Sequence, residues 1–326
     1  MVKVLVTGAA GFIGHHVVDY WLRNTDDEIT IIDRLDCSGN LNRLAEIGAA
    51  KNPRVRFVYH DLRAPLNAQL MSQIGSQDLI LHLAAGTHVD RSITHPLEFV
   101  YDNVVGTCNI LDFARITGCG RFLYFSTDEV FGPAPKGTQY LEDDRFRSGN
   151  PYAATKAGGE ELAIAYQNTY KLNVVVTHTM NVMGKRQHPE KYVPMTIQKV
   201  YAGEKVLIHA DPTKTQPGSR YYIDAEDVAE GVMFVATYGM NGEKYNIVGE
   251  QEIDNLQLAQ MIAAAVGKNL DYELVDFHGS RPGHDLRYAL DGSKLANMGW
   301  TPRPIFGRIN DLVSWTLNNK QWLLAA

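Results

Sequence analysis

Two adjacent carboxylates, Asp128 and Glu129, come directly after an apolar run that ends in Ser126 and Thr127. Neighbouring carboxyl groups in a closed site repel each other, which raises the pKa of one of them and holds the two values apart. Such a pair can supply a general acid and a general base for one reaction. An Asp-Glu pair can also be a turn or a helix cap. We interpret this pair as catalytic because it follows the hydroxyl side chains at the end of a predicted buried strand.

A tyrosine and a lysine, Tyr152 and Lys156, lie one helical turn apart at the start of a long predicted helix. This spacing places both side chains on one helical face. A phenol has a pKa of about 10, too high for a base at neutral pH, and a nearby ammonium group lowers it by favouring the phenolate. We therefore predict that Tyr152 takes a proton from a hydroxyl group, with Thr127 orienting the same oxygen. A surface Tyr/Lys pair is the alternative, since this spacing is common by chance.

A glycine-rich turn follows the first predicted strand and opens the first predicted helix. The turn itself requires Gly8, close approach to a pyrophosphate requires Gly11, and tight packing of helix on strand requires Gly14. The amino end of the helix then faces the phosphates. We predict that a dinucleotide binds to this turn through Gly8, Gly11, Phe12, Ile13 and Gly14.

An acidic residue, Asp33, ends the second predicted strand. A carboxylate there accepts hydrogen bonds from the adenosine ribose and repels a 2′-phosphate, which favours NAD over NADP. Arg34 beside it weakens this preference, because an arginine can hold that phosphate. Asp61, after the third predicted strand, either contacts the adenine edge or caps a helix that begins at Leu62.

The elements that must position these residues alternate between short apolar strands and amphipathic helices. Strands with Val, Ile and Leu on both faces, separated by helices, are typical of a parallel sheet covered on both sides. Right-handed crossovers then give an α/β fold with a doubly wound, Rossmann-type parallel sheet. The predicted strands are Lys3–Thr7, Ile29–Ile32, Val55–Tyr59, Leu79–His82, Phe122–Ser126 and Val174–Thr177. The predicted helices are Phe12–Arg23, Leu41–Ile47, Leu66–Ile74, Leu97–Thr117 and Pro151–Tyr170.

Beyond about residue 178 the alternation ends, and loops rich in Gly, Pro and charge separate shorter elements. We expect a smaller α/β lobe there that binds the substrate. The predicted domains are residues 1–178, with the dinucleotide turn and the catalytic side chains, and residues 179–326. A ligand then binds between the lobes, beside the carboxyl ends of the strands. The predicted helices of the second lobe are Pro194–Ala202, Ala225–Thr237, Leu256–Ala265 and Ile305–Asn318.

Composition and charge argue against several classes of protein. Hydrophobic residues make up 45% of the chain and charged residues 21%, as in globular proteins with a full core. A formal net charge of −6 without a basic run argues against nucleic acid or an anionic membrane as a partner. No apolar run reaches the ~20 residues of a membrane span. The three cysteines form no CxxC motif and no signal peptide is recognised, so we expect a cytoplasmic protein without a metal site.

A series of collinear motifs between residue 1 and about residue 300 resembles the extended short-chain dehydrogenase/reductase family. Within it, the chain is most similar to the nucleoside-diphosphate-hexose 4,6-dehydratases, especially the dTDP-glucose enzymes. The GxxGxxG spacing of the first motif is the form typical of short-chain dehydrogenases. The motifs are TGAAGFIG (Thr7–Gly14), THVDRSI (Thr87–Ile93), STDEVFG (Ser126–Gly132), PYAATKA (Pro151–Ala157), HPEKYVP (His188–Pro194), YNIVG (Tyr245–Gly249) and RPGHDLRYALD (Arg281–Asp291).

The resemblance implies a three-step activity. A 4,6-dehydratase oxidises C4 of a nucleotide-bound hexose, eliminates water across C5–C6 and returns the hydride to C6, so that NAD is regenerated. By this resemblance Tyr152 takes the C4 hydroxyl proton, Glu129 removes the C5 hydrogen and Asp128 protonates the departing C6 hydroxyl. The implied substrate is a nucleotide sugar, with dTDP- and UDP-hexoses favoured, and the implied product is a 4-keto-6-deoxy sugar.

The resemblance also assigns residues and a quaternary structure. The catalytic set is Thr127, Asp128, Glu129, Tyr152 and Lys156. Besides the glycine turn, the implied NAD-binding residues are Asp33, Arg34, Asp61, Leu62, Leu83, Ala84, Ala85, Thr87, Tyr152, Lys156 and Val182. The implied substrate-binding residues are Thr87, His88, Thr127, Asn181, Lys191, Tyr192, Arg220, Asn246, Arg281 and His284. The helices Leu97–Thr117 and Pro151–Tyr170 are expected to form a four-helix bundle in a homodimer.

Three departures from the family pattern leave the nucleotide base and the sugar open. Gly86 stands where the family usually has Glu. The stretch Val182–Lys185, after Asn181, replaces the residues Asn-Tyr-Gly-Pro of the family. The loop 209–220 is longer than the glycine turn that borders the base in relatives.

Two alternatives remain. Epimerases of the family lack the Asp128-Glu129 pair and decarboxylases keep only the glutamate, so product mass separates a dehydratase from either. A non-catalytic dinucleotide-binding protein would require a broken catalytic set, whereas every expected member is present.

Overall fold

The strands of the protein are short and spread along the whole chain. The structure, a computed structural model, describes residues 1–36, 38–276 and 286–324. In these ranges the strands are β1 (Lys3–Thr7), β2 (Glu28–Asp33), β3 (Val55–Tyr59), β4 (Leu79–His82), β5 (Arg121–Thr127), β6 (Val174–Thr179), β7 (Val182–Met183), β8 (Val206–Ala210), β9 (Ser219–Arg220), β10 (Ile223–Asp224), β11 (Lys244–Ile247), β12 (Ile253–Asp254) and β13 (Tyr272–Asp276).

Helices separate most of these strands. They are α1 (Phe12–Asn24), α2 (Leu41–Glu46), α3 (Ala68–Ile74), α4 (Val89–Thr94), α5 (Pro96–Val100), α6 (Gly106–Thr117), α7 (Pro151–Tyr170), α8 (Tyr192–Ala202), α9 (Ala225–Tyr238), α10 (Asn255–Val266), α11 (Ser293–Asn297) and α12 (Ile305–Asn318). Single turns of 3₁₀ helix occur at Ala49–Lys51, Asp128–Phe131 and Lys320–Leu323, and a π segment, Tyr101–Val105, joins α5 to α6.

Seven strands form one parallel sheet in the order β11-β6-β5-β4-β1-β2-β3. The strand order reverses at β1, which lies between β2 and β4. In doubly wound sheets such a reversal opens a crevice at the carboxyl ends of the strands. This confirms the predicted fold class and places the glycine turn, which follows β1, at the crevice.

Apolar side chains on both faces of the sheet explain the layers. Helices α1 and α9 cover one face, where Trp21 and Val232 join the core under β1, β2 and β5. Helices α3, α6 and α7 cover the other face, where Phe113 and Ala163 are buried. Burial of each large apolar side chain contributes on the order of 2 kcal/mol, so the two layers hold the carboxyl edge of the sheet in a fixed geometry.

The sixth strand is longer than predicted. The strand was predicted to end at Thr177, but β6 continues to Thr179. His178 and Thr179 are buried and pair with Ser126 and Thr127 of β5. Buried polar residues therefore lie at the carboxyl ends of β5 and β6, next to the crevice.

The predicted helix Leu97–Thr117 is interrupted by the π segment. The side chain of Asn103, in this segment, bonds Gly86 twice, donating to its carbonyl oxygen at 3.0 Å and accepting from its N–H at 2.8 Å. Its amide also donates to Thr155 Oγ1 at 2.9 Å. Such wide turns are common at functional sites, and this one ties the loop after β4 to α7.

The second half of the chain forms a smaller α/β part around a separate core. Two-stranded sheets pair β7 with β10, β8 with β13 and β9 with β12, and α8, α10 and α12 pack around Ile197, Leu258 and Ile309. Strand β11, however, pairs with β6 in the main sheet. The division at residues 178 and 179 stays a prediction.

None of the helices in the described ranges combines the length and apolarity needed to cross a bilayer.

Candidate active site

The glycine turn lies against the loop that follows β4. Gly8 has φ +73°, and a Cβ there would lie 2.7 Å from Ala84 Cα. A Cβ on Gly14 would lie 2.2 Å from the carbonyl oxygen of Gly8. Helix α1 begins directly after Gly11, and among the described residues no side chain caps it. Its amino end is therefore a backbone cradle that suits a pyrophosphate.

Asp33 ties the end of β2 to the glycine turn. Its Oδ2 accepts a hydrogen bond from the Ala10 N–H at 2.9 Å, and its Oδ1 accepts one from the Leu35 N–H at 2.8 Å. Burial raises the pKa of Asp33, and these two backbone donors oppose the increase. The predicted ribose carboxylate thus lies beside the predicted pyrophosphate cradle.

Arg34, which could weaken the preference for NAD, is held by carboxylates. Its guanidinium contacts Asp102 at 2.5 and 2.8 Å and Asp36 at 2.6 Å. Asp61 lies 3.6 Å from Arg34 and also pairs with Arg63. The alternative role of Asp61 as a cap is wrong, because α3 begins only at Ala68 and is capped by Asn67.

A buried arginine beside the turn was not predicted from the sequence. Arg43 is 4% exposed and donates to the carbonyl oxygens of Ala10, Ser38 and Arg186 at 2.7 to 3.1 Å. Burial lowers the pKa of Arg43 to about 10. It joins the glycine turn, the loop after β2 and the C-terminal part. A lone arginine on a short helix carries no sequence signal for this role.

Asp128 is the more buried member of the catalytic pair, at 5% exposure. Its Oδ1 accepts from the Thr127 hydroxyl at 3.0 Å, and its Oδ2 is buried without a hydrogen-bond partner among the described residues. Burial raises its pKa to about 6, and the charge of Arg220 opposes the increase. The raised pKa was predicted, but its main cause is burial and not repulsion by Glu129.

Glu129 is tied to the helix that carries the tyrosine. Its Oε2 accepts a hydrogen bond from the Asn150 amide at 3.0 Å. Asn150 also caps α7, accepting from the Ala153 N–H at 2.9 Å. The sequence analysis missed Asn150, although a cap residue before a proline is a recognisable helix start.

Tyr152 is buried at the first turn of α7, with its ring edge-on to Phe99. Burial raises its pKa, the charges of Glu129 and Asp128 add to this, and a hydrogen bond with the Thr127 side chain opposes it. The expectation that Lys156 lowers the pKa of Tyr152 is wrong for the protein alone. The predicted contact of Tyr152 with Thr127 is present.

Lys156 is engaged with strand β5. Its ammonium donates to the Phe125 carbonyl oxygen at 2.6 Å and lies 4.4 Å from the Tyr124 ring centroid. Burial lowers the pKa of Lys156 to about 7, and the charge of Glu160 opposes this. The lysine is therefore near its own titration point and is not an isolated full charge beside the phenol.

A buried ionic cluster under these residues also escaped the sequence analysis. Glu160, one turn beyond Lys156, accepts from Ser126 Oγ at 2.7 Å and contacts His178 Nε2 and Lys244 Nζ, each at 3.1 Å. Glu160 and His178 are fully buried. The spacing of Tyr152, Lys156 and Glu160 on one helical face was the available signal.

The substrate side needs one correction. Asn246 was predicted to bind the substrate, but it is fully buried and pairs with His178 in the register of β11 on β6. Its amide donates to the carbonyl oxygens of Tyr140 and Asp291, and its oxygen contacts His178 Nδ1 at 3.0 Å. Asn246 is a structural residue that closes the sheet, with no group left for a ligand.

Other predicted substrate residues lie on both sides of the cleft. His88 Nε2 lies 3.3 Å from Glu190 Oε1, next to Lys191 in the chain, so the two loops meet. Arg220 stacks on Tyr288 at 4.7 Å, and its charge acts on Asp128. The side chains of Thr87 and Asn181 are exposed. Val182 pairs with Ile223 between β7 and β10. The Tyr192 hydroxyl donates a hydrogen bond to the Asn255 carbonyl oxygen at 2.6 Å. Arg281 and His284 lie outside the described residues.

The loop that departs most from the family pattern forms a closed turn. Asp211 Oδ1 accepts from the N–H groups of Thr215 and Gln216 at 2.7 and 2.8 Å. Gly218 N–H donates to His209 O at 3.1 Å.

Among the described residues, no group of three or more His, Cys, Asp or Glu side chains is arranged to hold a metal.

Taken together, the carboxyl ends of β1, β2 and β5 and the first turn of α7 bring a phosphate cradle, a ribose carboxylate and three proton-transfer groups to one edge of the sheet. Since parallel strands end at the same edge, this arrangement follows from the topology. It can hold a dinucleotide next to a hydroxyl-bearing substrate, and it can both donate and remove protons there.

Comparison with known proteins agrees with this geometry. The model of the NAD dependent epimerase/dehydratase family matches residues 4–248. The protein Agl12 of low-salt glycan biosynthesis in Haloferax volcanii is 40% identical over 300 residues, covering 92% of this chain and 93% of its own. The dTDP-glucose 4,6-dehydratase of Escherichia coli is 35% identical, covering 98% and 95%.

A solved structure is similar along nearly the whole chain. DesIV, a dTDP-glucose 4,6-dehydratase from Streptomyces venezuelae crystallised with NAD and TDP bound, superimposes with a TM-score of 0.88. It is 35% identical in sequence, and the match covers 98% of each chain. The resemblance found in the sequence motifs is confirmed.

Proposed function

Since this chain belongs to the NAD dependent epimerase/dehydratase family, we propose that it is an NAD-dependent nucleotide-sugar 4,6-dehydratase, a hydro-lyase. It converts an NDP-hexose to the NDP-4-keto-6-deoxyhexose. The observation that carries this proposal is the pair Asp128 and Glu129, held within reach of the Tyr152 helix by Thr127 and Asn150.

The first step is oxidation at C4 of the sugar. The glycine turn and Asp33 suit the pyrophosphate and the adenosine ribose of NAD, which supplies the hydride acceptor and donor of the reaction when bound. Tyr152 accepts the proton of the C4 hydroxyl in its phenolate form, which the positive charge of bound NAD would favour, with Thr127 hydrogen-bonded to the phenol oxygen. Lys156 fixes the end of β5 through the Phe125 carbonyl oxygen.

The second step is loss of water across C5–C6. The new C4 carbonyl acidifies the C5 hydrogen, which Glu129 removes as a proton. The C6–O bond breaks as Asp128 donates its proton to the leaving hydroxyl, so water departs. A carboxyl with a pKa of about 6 holds such a proton far better than an ordinary aspartate. Return of the hydride to C6 and of the proton to C5 completes the product.

The nucleotide part of the substrate is to be identified with a panel of nucleotide sugars. Named relatives act on dTDP-glucose, and we favour a dTDP- or UDP-hexose. Arg220 supplies positive charge for the diphosphate beside Asp128. The closed turn around Asp211 stands where relatives have a shorter one.

A substrate panel tests the proposal. Purified protein with NAD is incubated with dTDP-, UDP-, CDP- and GDP-hexoses, and product masses are recorded. Loss of water identifies a dehydratase, an unchanged mass an epimerase, and loss of CO2 a decarboxylase. A non-catalytic binding protein gives no turnover with any of them. Absence of a 4-keto-6-deoxy product throughout the panel would refute the proposed activity.

Glu129→Gln separates the oxidation from the elimination. Because the amide cannot remove the C5 proton, we expect product formation to fall by at least about 100-fold, the lower end for loss of a general base. Reduction of NAD on substrate addition, followed by absorbance, should persist. The exposed Glu161→Gln serves as the control and should leave both unchanged. Equal loss of both steps in Glu129→Gln, or of neither, would contradict the assignment of the base.

The proposed enzyme is a homodimer that pairs through a four-helix bundle. Support comes from apolar side chains on the outer faces of α5, α6 and α7, where Leu97 is 60% exposed, Ile116 53% and Tyr170 53%. Helices α6 and α7 are neighbours, since Cys108 Sγ lies 3.7 Å from Tyr166 Oη. We infer that these side chains form one patch, which is typical of a protein interface.

We place the enzyme in the cytoplasm. Cys108 and Cys119 are free thiols in the structure, which fits a reducing compartment. Cell fractionation of the native host with an antibody to the protein would test this, and recovery in an extracellular fraction would overturn it.

A further inference from the structure

The arginine after Asp33 is fully occupied by carboxylates. Arg34 Nη1 and Nη2 form a two-pronged pair with Asp102 at 2.5 and 2.8 Å. Its Nε and Nη2 also donate to Asp36 Oδ2 at 3.0 and 2.6 Å. Fork-to-fork pairs of this kind fix both the position and the orientation of a guanidinium. Arg34 is therefore turned toward Asp102, on the π segment between α5 and α6.

The departure at Gly86 leaves room for this pair. A Cβ at Gly86 would lie 3.0 Å from Asp102 Oδ2 and 3.2 Å from the Phe99 ring. A side chain at this position would crowd the carboxylate that holds Arg34, and the two would have to shift apart by a few tenths of an ångström. Where relatives usually carry a glutamate at this position, this chain has a glycine, and Asp102 supplies the carboxylate from another element.

Carboxylates outnumber guanidinium groups around Arg34. Asp61 lies 3.6 Å from Arg34, and Arg63 pairs with Asp61 and lies 3.9 Å from Asp102. With Asp33 and Asp36, four carboxylates stand against three guanidinium groups, since Arg43 is close enough to Asp33 for their charges to interact. A 2′-phosphate would add further negative charge to this excess.

We propose that Asp102 is a cofactor-selectivity residue, which holds Arg34 away from the adenosine ribose and so keeps the protein selective for NAD over NADP. An arginine next to the ribose carboxylate is the group that usually accommodates a 2′-phosphate. Here that group is present in the sequence but is already bound by Asp102 and Asp36. The inference rests on NAD binding, which is part of the proposed function.

The test measures NAD and NADP affinities of the cofactor-free protein by calorimetry, without substrate. In Asp102→Asn, which keeps the shape but weakens the hold on Arg34, we expect NADP to bind at least about tenfold more tightly relative to NAD than in the wild type. Asp36→Asn, which loosens the other side of Arg34, should shift the ratio in the same direction. The control Glu98→Gln removes an exposed charge from α5 without contact to Arg34 and should leave the ratio unchanged.

Adding Arg34→Ala to Asp102→Asn shows whether the arginine is responsible. Loss of the gain in this double variant supports the proposal, and retention of the gain means that the charge of Asp102 alone matters and overturns it. An unchanged ratio in both Asp102→Asn and Asp36→Asn, with unaltered thermal unfolding, also overturns it. A wild-type protein that binds neither cofactor would instead refute the proposed function.

Discussion

At the scale of single residues, Asp128 is kept in a state that suits a proton donor. It is nearly excluded from water, one carboxyl oxygen has no hydrogen-bond partner among the described residues, and the other accepts from Thr127. Burial disfavours the carboxylate and raises its pKa to about 6. The proposed role of Asp128 as a proton donor therefore lowers the stability of the folded protein at neutral pH.

We expect Asp128→Asn to stabilise the folded protein while abolishing elimination. In the folded protein the pKa of Asp128 lies above its ordinary value of 3.8. The protonated side chain therefore contributes fully to the stability of the fold below that pH, and this contribution is lost as the pH rises through about 6. Asparagine has no charge to bury, and it can still accept from Thr127. The gain in free energy of unfolding should be near zero at pH 4 and up to about 3 kcal/mol at pH 8.

Urea unfolding between pH 4 and pH 8 checks this prediction. Glu129→Gln, at a half-buried position, is the matched comparison. A gain in Asp128→Asn that does not depend on pH would show that charge burial is not its cause.

At the scale of elements, α7 is joined to β5 and β6 by the cluster around Glu160. This carboxylate contacts Ser126 of β5, His178 of β6 and Lys244 of β11. Burial alone would raise the pKa of Glu160, but its charged and hydrogen-bonded partners outweigh this and lower it to about 2. The cluster thus sets the distance between the strand that carries Asp128 and the helix that carries Tyr152.

We expect Glu160→Gln to destabilise the protein by about 3–5 kcal/mol at pH 7, because it leaves the Lys244 ammonium without its buried counter-charge. The stabilising contribution of Glu160 is present above its ordinary pKa of 4.5 and is lost as pH falls toward 2. The difference between variant and wild type should therefore shrink in acid.

Denaturant unfolding at pH 7 and at pH 3 measures both effects. The control is Glu161→Gln, an exposed neighbour on the same helix, which should change stability by less than about 0.5 kcal/mol. Equal stability of the two variants at pH 7 would show that the cluster does not hold these elements together.

At the scale of the whole molecule, the site lies between the sheet edge and the C-terminal part, and α5 to α7 expose several large apolar side chains. Leu97 is 60% exposed and Tyr101 46% exposed. These helices carry Asp102, Tyr152 and Lys156 on their inner sides, so an interface formed there would support the site from behind.

We expect Leu97→Glu to convert the proposed dimer into monomers at micromolar concentration, because it places a charge in the proposed apolar interface. The loss should be at least about tenfold in the dimer dissociation constant, which corresponds to about 1.4 kcal/mol. Size-exclusion chromatography with light scattering measures the mass. Leu207→Glu, at a 46% exposed leucine of β8, is the control and should stay dimeric. A wild-type monomer would refute the dimer outright.

Much of this protein follows from local sequence alone. Apolar runs and glycine spacing predicted the dinucleotide turn and the strands β1 to β6, though not β11, of the main sheet, since these depend on residues close in the chain. The spacing of Tyr152 and Lys156 predicted a shared helical face for the same reason. The Asp128-Glu129 pair pointed to an acid and a base, and that assignment rests on residue type.

Only the tertiary structure decided how these groups are tuned. The pKa of Asp128 depends on how completely distant elements exclude water, and Arg34 is held by Asp102, 68 residues away. Asn246 became structural because β11 adds to the sheet beside β6, which pairs residues 68 positions apart. Burial and long-range pairing arise from the packed whole, whereas local sequence determines which groups are available to be packed.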